Sequence, residues 1–204
     1  MSNKLNWKVT IFASICSLFA VNSASGAGGA FMPVGQQTTQ PIGHYNFCNT
    51  RPAECSIRSS QTAPMALSEQ RWVELQQVND LVNGAIVPAT DYESFGVEEF
   101  WNYPGTRGDC EDFVLLKQRI LAERGWPISS LLITVVMRPD GQGHAVLTVR
   151  TDRGDLVLDN LDSDVRLWND APYRFVKRQS EQNTGRWVSI YDGRTTAVAY
   201  VANR

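Results

Sequence analysis

The strongest constraint on this chain is a change of period in its second half. One helical pattern runs through residues 109–124, and apolar residues then recur at every second position in five stretches, 131–137, 144–150, 155–161, 173–177 and 187–191. Alternation of that kind marks half-buried strands, and strands that follow one another after the helices predict an α+β fold with an antiparallel sheet. An earlier helix is predicted from Ser68, an N-cap residue, with Glu69 in its first turn. Its buried stripe is Trp72, Leu75, Val78 and Val82, with Trp72 as a core anchor, and Asn83-Gly84 offers a stop. In the second helix Asp109 reads as the N-cap and Asp112, three residues on, imitates a capping box. Phe113, Val114, Ile120 and Leu121 form the face of that helix, which Arg124-Gly125 and Pro127 end.

The amino terminus sets the compartment. Lys4 and Lys8 precede an apolar run over residues 9–21, and small and polar residues lead to Ala27. This is the three-part pattern of a secretory signal peptide, residues 1–27, and the run is too short to span a bilayer as about 20 residues of helix. Ala13-Ser14-Ile15 before Cys16 lacks the small residue expected beside a lipidated cysteine. Cleavage leaves 177 residues with a formal charge of −4, exported to the periplasm or beyond. Residues 28–43 carry no periodicity and read as an extended leader, and 44–204 as a single domain. With 43% hydrophobic and 20% charged residues the composition is that of a globular protein, and a net charge of −2 argues against nucleic acid as a partner.

Three cysteines remain after cleavage. Cys48 and Cys55 enclose six residues around Pro52, and in an oxidising compartment they read as a disulfide. A zinc site is the alternative, but His44 adds only a third ligand, at a spacing that does not fit. Cys110 is left over. It is either a buried inert thiol or a nucleophile.

Cys110 falls in the first turn of the second helix, where backbone N–H groups and the helix dipole favour a thiolate and can stabilise an oxyanion. Papain-type peptidases use this placement. His144 begins a strand, and the hairpin that follows allows a geometric test for a third partner. If Arg150 pairs with Asp155, then Val146 faces Asp159, and His144 and Asp159 become diagonal neighbours on one face, about 7–8 Å apart at Cα. Asn160 points the other way, and a register shift of one would exchange the two. Taken singly, a helix cysteine or a strand histidine is more often packing than chemistry. Their order along the chain favours Cys110 as nucleophile, His144 as base and Asp159 as the residue that fixes the imidazole.

Three segments carry a family likeness: Gly108-Asp109-Cys110-Glu111-Asp112-Phe113, Gly143-His144-Ala145-Val146-Leu147 and Leu156-Val157-Leu158-Asp159-Asn160-Leu161. They closely resemble the bacterial transglutaminase-like cysteine proteinases, over about residues 43–201. The resemblance implies a papain-like/transglutaminase-like fold and a Cys110–His144–Asp159 triad. In the LapG-like periplasmic branch, proteases clip the amino-terminal region of large biofilm adhesins, need calcium, and answer to a membrane receptor that senses cyclic di-GMP. The expected partners are thus a protein substrate such as a surface adhesin and an inner-membrane regulatory receptor. The calcium ligands of that branch map onto Asp109 and Glu111. Phe47-Cys48 with Cys55 resembles the exported rhizobial-type members and departs from the LapG-like branch, which bears on the substrate more than on the chemistry.

Calcium also has a physical rationale. Asp109, Glu111 and Asp112 surround Cys110 with like charge that opposes a thiolate, and a hard cation with oxygen ligands relieves it. The plainer alternative makes two of the three first-turn and capping acids. Trp101-Asn102-Tyr103-Pro104 can wall a cleft, though packing is the default for each, and Arg107 reads as a solvated arginine or a contact to an acidic substrate. The leading expectation is an exported cysteine endopeptidase. Acyl transfer to an amine, as in a transglutaminase, uses the same acyl-enzyme, and a non-catalytic binding module on the same fold is the reading from another class.

Overall fold

The computed structural model describes Met1 and residues 29–194, so the expected signal peptide, apart from Met1, lies outside the described residues. The elements are β1 (Val34–Thr38), α1 (Ile42–Thr50), α2 (Pro52–Cys55), α3 (Glu69–Ala85), β2 (Val87–Pro88), α4 (Asp91–Phe95), β3 (Arg107–Gly108) and α5 (Cys110–Glu123). There follow β4 (Leu131–Met137), β5 (Gly143–Thr151), β6 (Gly154–Leu158), β7 (Arg166–Leu167), β8 (Arg174–Ser180) and β9 (Asn183–Ile190). Seven strands form one sheet in the order β1-β9-β8-β4-β5-β6-β7, each pair antiparallel. The short β2 and β3 pair in parallel beside it. The α+β layout expected from the periodicity is the one observed.

Alternation divides the apolar side chains between two faces. Ile133, Ala145, Leu147, Val149, Leu156 and Leu158 pack with Leu75, Val78 and Val82 of α3 and Phe113, Val114 and Leu121 of α5. Val136, Val146, Val157 and Phe175 pack on the other side with Met32, Trp168 and Tyr173. Trp72 departs from its expected role, for it is only partly buried at the border of the first cluster. Ser68 caps α3 by accepting the Arg71 N–H, as expected, and the helix continues through Asn83-Gly84 to Ala85.

Residues 28–43 are expected as an extended leader, but those from 34 onward enter the fold. Residues 34–38, mostly polar, form the edge strand β1 against β9, and α1 begins inside the span at Ile42. A half-exposed edge strand of Gln and Thr has little alternation to reveal it. The β5–β6 register is the one inferred from the hairpin, with Arg150 opposite Asp155 and Leu147 opposite Leu158. β6 stops at Leu158 rather than 161, because the Asp159 carboxylate accepts the Leu161 N–H at 3.0 Å and turns the chain out of the ladder.

Cys48 and Cys55 form a disulfide that ties α1 to α2. His44 lies beside both sulfurs, but these are bonded to each other, which leaves no thiolate pair for a metal. The imidazole is buried edge-on against Trp101 and Trp187, and its Nδ1 accepts the Trp187 indole N–H at 3.2 Å. Only an unprotonated Nδ1 can accept that bond. Burial lowers the His44 pKa from 6.5 to about 4. Between those values the unfolded chain binds the proton more tightly, so the stability contributed by neutral His44 is complete above the unfolded value and is lost as pH falls. Acidification from pH 7 to pH 5 therefore removes about 2 kcal/mol through this residue. His44→Gln, which keeps an acceptor, should melt with less acid sensitivity than the wild type, and equal sensitivity would contradict the assignment.

Candidate active site

The turn before α5 is built around Gly108. A side chain there would collide with Asp112, since a Cβ would lie 2.8 Å from the Asp112 Cβ. The Asp112 carboxylate instead accepts the Asn102 N–H at 3.0 Å and holds the preceding loop against the helix start. Asp109 occupies the N-cap position, but its side chain makes no cap hydrogen bond, which corrects the expected capping arrangement. Its Oδ1 is buried and has no hydrogen-bond partner.

That orphaned oxygen belongs to a cluster. Asp91, the first residue of α4, joins Asp109 and Glu111, each with a carboxylate oxygen within 4.8 Å of the others. Burial raises the pKa of all three, and Asp109 and Glu111 raise it further through charge, Asp109 acting on Glu111 and Asp91 on Asp109. The residues named from the sequence, Asp109 and Glu111, are therefore together. Asp112 faces Asn102 and is not in the group, while Asp91 is new. Asp91 was not legible because Thr90 and Glu93 form a capping box around it, which explains an acid in that first turn without any site. Oxygen-only donors, crowded, largely buried and paired with no cationic side chain among the described residues, fit a hard divalent ion such as calcium.

Cys110 begins α5 with its thiol donating to Glu111 Oε2 at 3.1 Å. Burial pushes the thiol pKa well up, the Glu111 carboxylate adds to this, and the Ala145 backbone opposes both. The nucleophile candidate thus sits beside the residue that follows His144. Among the described residues, the imidazole and the thiol share no hydrogen bond.

His144 and Asp159 are together. His144 Nε2 lies 2.8 Å from Asp159 Oδ1, with both side chains almost fully enclosed. Burial alone would raise Asp159, yet hydrogen bonds and charge from His144, the Leu161 N–H and the Tyr173 hydroxyl together hold it below the usual range. The carboxylate is therefore charged, and it engages the His144 ring through Nε2. The sequence reading missed Tyr173, whose hydroxyl donates to Asp159 Oδ2 at 2.5 Å and whose ring meets the His144 ring edge-on at 5.5 Å. A tyrosine opening a strand carries no sign of such a contact. Tyr173→Phe keeps the ring and removes the donor, and should lower turnover about tenfold with KM unchanged. An unaltered kcat would remove Tyr173 from the site.

In the segment before the nucleophile, Trp101 is buried while Asn102, Tyr103 and Pro104 are half-buried. Trp101 is buried against His44, and the Arg51 and Arg119 guanidinium groups lie over the Tyr103 ring. Arg107 is exposed in β3.

A family model described as bacterial transglutaminase-like cysteine proteinase matches residues 34–195. The calcium-bound structure of Legionella pneumophila LapG is similar at 24% identity and a TM-score of 0.50, over 61% of this chain and 71% of that one. The EGTA-treated form of the same protein aligns at 28% identity and a TM-score of 0.47, over 52% and 62%. A third structure of LapG from that organism aligns at 26% identity and a TM-score of 0.48, over 57% and 68%. No curated protein matches the sequence.

Proposed function

The chain belongs to the bacterial transglutaminase-like cysteine proteinase family and is a cysteine protease, and from that premise we propose that it cleaves peptide bonds through Cys110, His144 and Asp159. The observation that carries the reading is the enclosed His144–Asp159 pair at 2.8 Å, one residue from the backbone that neighbours the Cys110 thiol. Asp159 holds the Nε2–H tautomer, which leaves the lone pair on Nδ1. His144 takes the proton from Cys110 as the sulfur attacks the scissile carbonyl, and the backbone N–H groups at the start of α5 receive the developing oxyanion. The imidazolium then protonates the leaving amine and a thioester remains. Water, deprotonated by the same imidazole, attacks the thioester and returns the thiol.

Asp91, Asp109 and Glu111 would hold calcium, which when bound neutralises the carboxylates crowded against the thiol. That a similar protein, LapG, has been solved with calcium bound supports this reading. The signal-peptide pattern supports export to the periplasm, and the family resemblance supports a surface or periplasmic protein substrate such as an adhesin. Wild-type and Cys110→Ala protein, each incubated with calcium and extracted surface proteins, should differ in new amino termini. Termini that arise only with the wild type are expected. An identical set with both proteins would reject the proposal.

A further inference from the structure

Lys117 lies on α5 two turns beyond the nucleophile, and its side chain is fully buried. No carboxylate forms an ion pair with it among the described residues, and its hydrogen bond runs to Asn79 Oδ1 of α3 at 2.7 Å. An apolar side chain would fill the same volume without desolvating a cation, so the space alone does not account for a lysine. What the ammonium form of a lysine adds is N–H donors with no acceptor. It forces the Asn79 carbonyl oxygen inward, and the Asn79 amide then faces the chain that follows β6.

That chain is the one carrying Asp159. Asn79 Nδ2 donates to the carbonyls of Asp162 and Ser163 at 3.2 and 3.0 Å, and Asn83 Nδ2 donates to the carbonyl of Asp159 itself at 2.8 Å. Residues 159–165 lie between β6 and β7, outside the ladder, and need such anchors to keep a fixed place. We propose that Lys117, Asn79 and Asn83 form a buried brace between α5 and α3 that positions Asp159, and through it the His144 ring. Lys117 is thereby a positioning residue, not a catalytic one. Burial lowers its pKa to about 7 against the pull of Asp159 and Asp80, in keeping with a cation that is enclosed yet felt by the Asp159 carboxylate.

This inference rests on the catalytic reading of His144 and Asp159, and the test separates the two. The chain has two histidines, so the ring N–H signals of His44 and His144 can be followed side by side in ¹⁵N-labelled protein by NMR. In Lys117→Met the His144 Nε2–H signal should move upfield or be lost to exchange while the His44 signals stay in place. Alkylation of Cys110 by iodoacetamide, with calcium present, should slow on the order of tenfold or more. Should Lys117→Met fail to fold, Asn79→Leu/Lys117→Met removes the Lys117 donor together with its acceptor, withdraws the Asn79 anchor from the Asp162 and Ser163 carbonyls as well, and gives the same readouts. An unmoved His144 signal overturns the brace, as does a change that affects His44 equally, the mark of general loosening. Failure of the catalytic reading looks different: wild-type alkylation would be indifferent to His144→Ala.

Discussion

His144→Ala should lower kcat/KM by about 10⁴, with the melting temperature retained closely enough to show a folded protein. The size follows from the thiol's surroundings. Burial and the Glu111 carboxylate both push Cys110 toward its protonated form, and the thiol donates to Glu111 at 3.1 Å. With Glu111 assigned to the cation, His144 is the base left to take the proton. Asp159→Ala should cost less, since the imidazole would remain while its tautomer and orientation loosened. The ordering His144→Ala below Asp159→Ala below Tyr173→Phe below wild type is the signature expected of a chain of contacts running back from the reacting sulfur. Single-turnover cleavage of a substrate located by its new amino termini measures it. Equal losses for all three would indicate a merely structural defect.

Calcium removal has the second largest expected effect. With Asp91 and Glu111 buried, Asp109 half-buried and no cationic side chain paired with them among the described residues, the Asp91–Asp109–Glu111 cluster should gain stability from a divalent ion in proportion to its saturation. Calcium at a hundred times its dissociation constant adds about 2.7 kcal/mol, which EGTA should reverse as a fall in melting temperature together with loss of activity. Asp91→Asn and Asp109→Asn should each blunt the response. Asp112→Asn should leave it in place, because that carboxylate is committed to the Asn102 N–H. A melting temperature indifferent to both calcium and EGTA would reject the site.

The legible and illegible parts of the molecule differ for physical reasons. Long strands packed on both sides, such as β4, declared themselves by composition and alternation. The hairpin fixed the β5–β6 register, which separated Asp159 from Asn160 by arithmetic alone. The helix start at Cys110 was readable from Gly108 and Asp109, although the capping bond itself is not made. Contacts that depend on chain segments far apart in sequence left no local trace. Asp91 lies 18 residues before Asp109 within its own capped helix, and Tyr173 reaches Asp159 from the far side of β7. Lys117 had the spacing of a core position on α5 and the chemistry of a surface residue, a conflict that only its partner on α3 resolves. The edge strand β1 was hidden by its polar composition.

The central claim is that His144 activates Cys110. The second-order rate of Cys110 alkylation by iodoacetamide, followed by intact mass at pH 7 in calcium, tests it most directly. Cys48 and Cys55 are tied in the disulfide, which leaves Cys110 as the free thiol among the described residues. Rapid modification of the wild type is expected, with a rate at least about 100-fold lower in folded His144→Ala. Equal rates in the two proteins would contradict it.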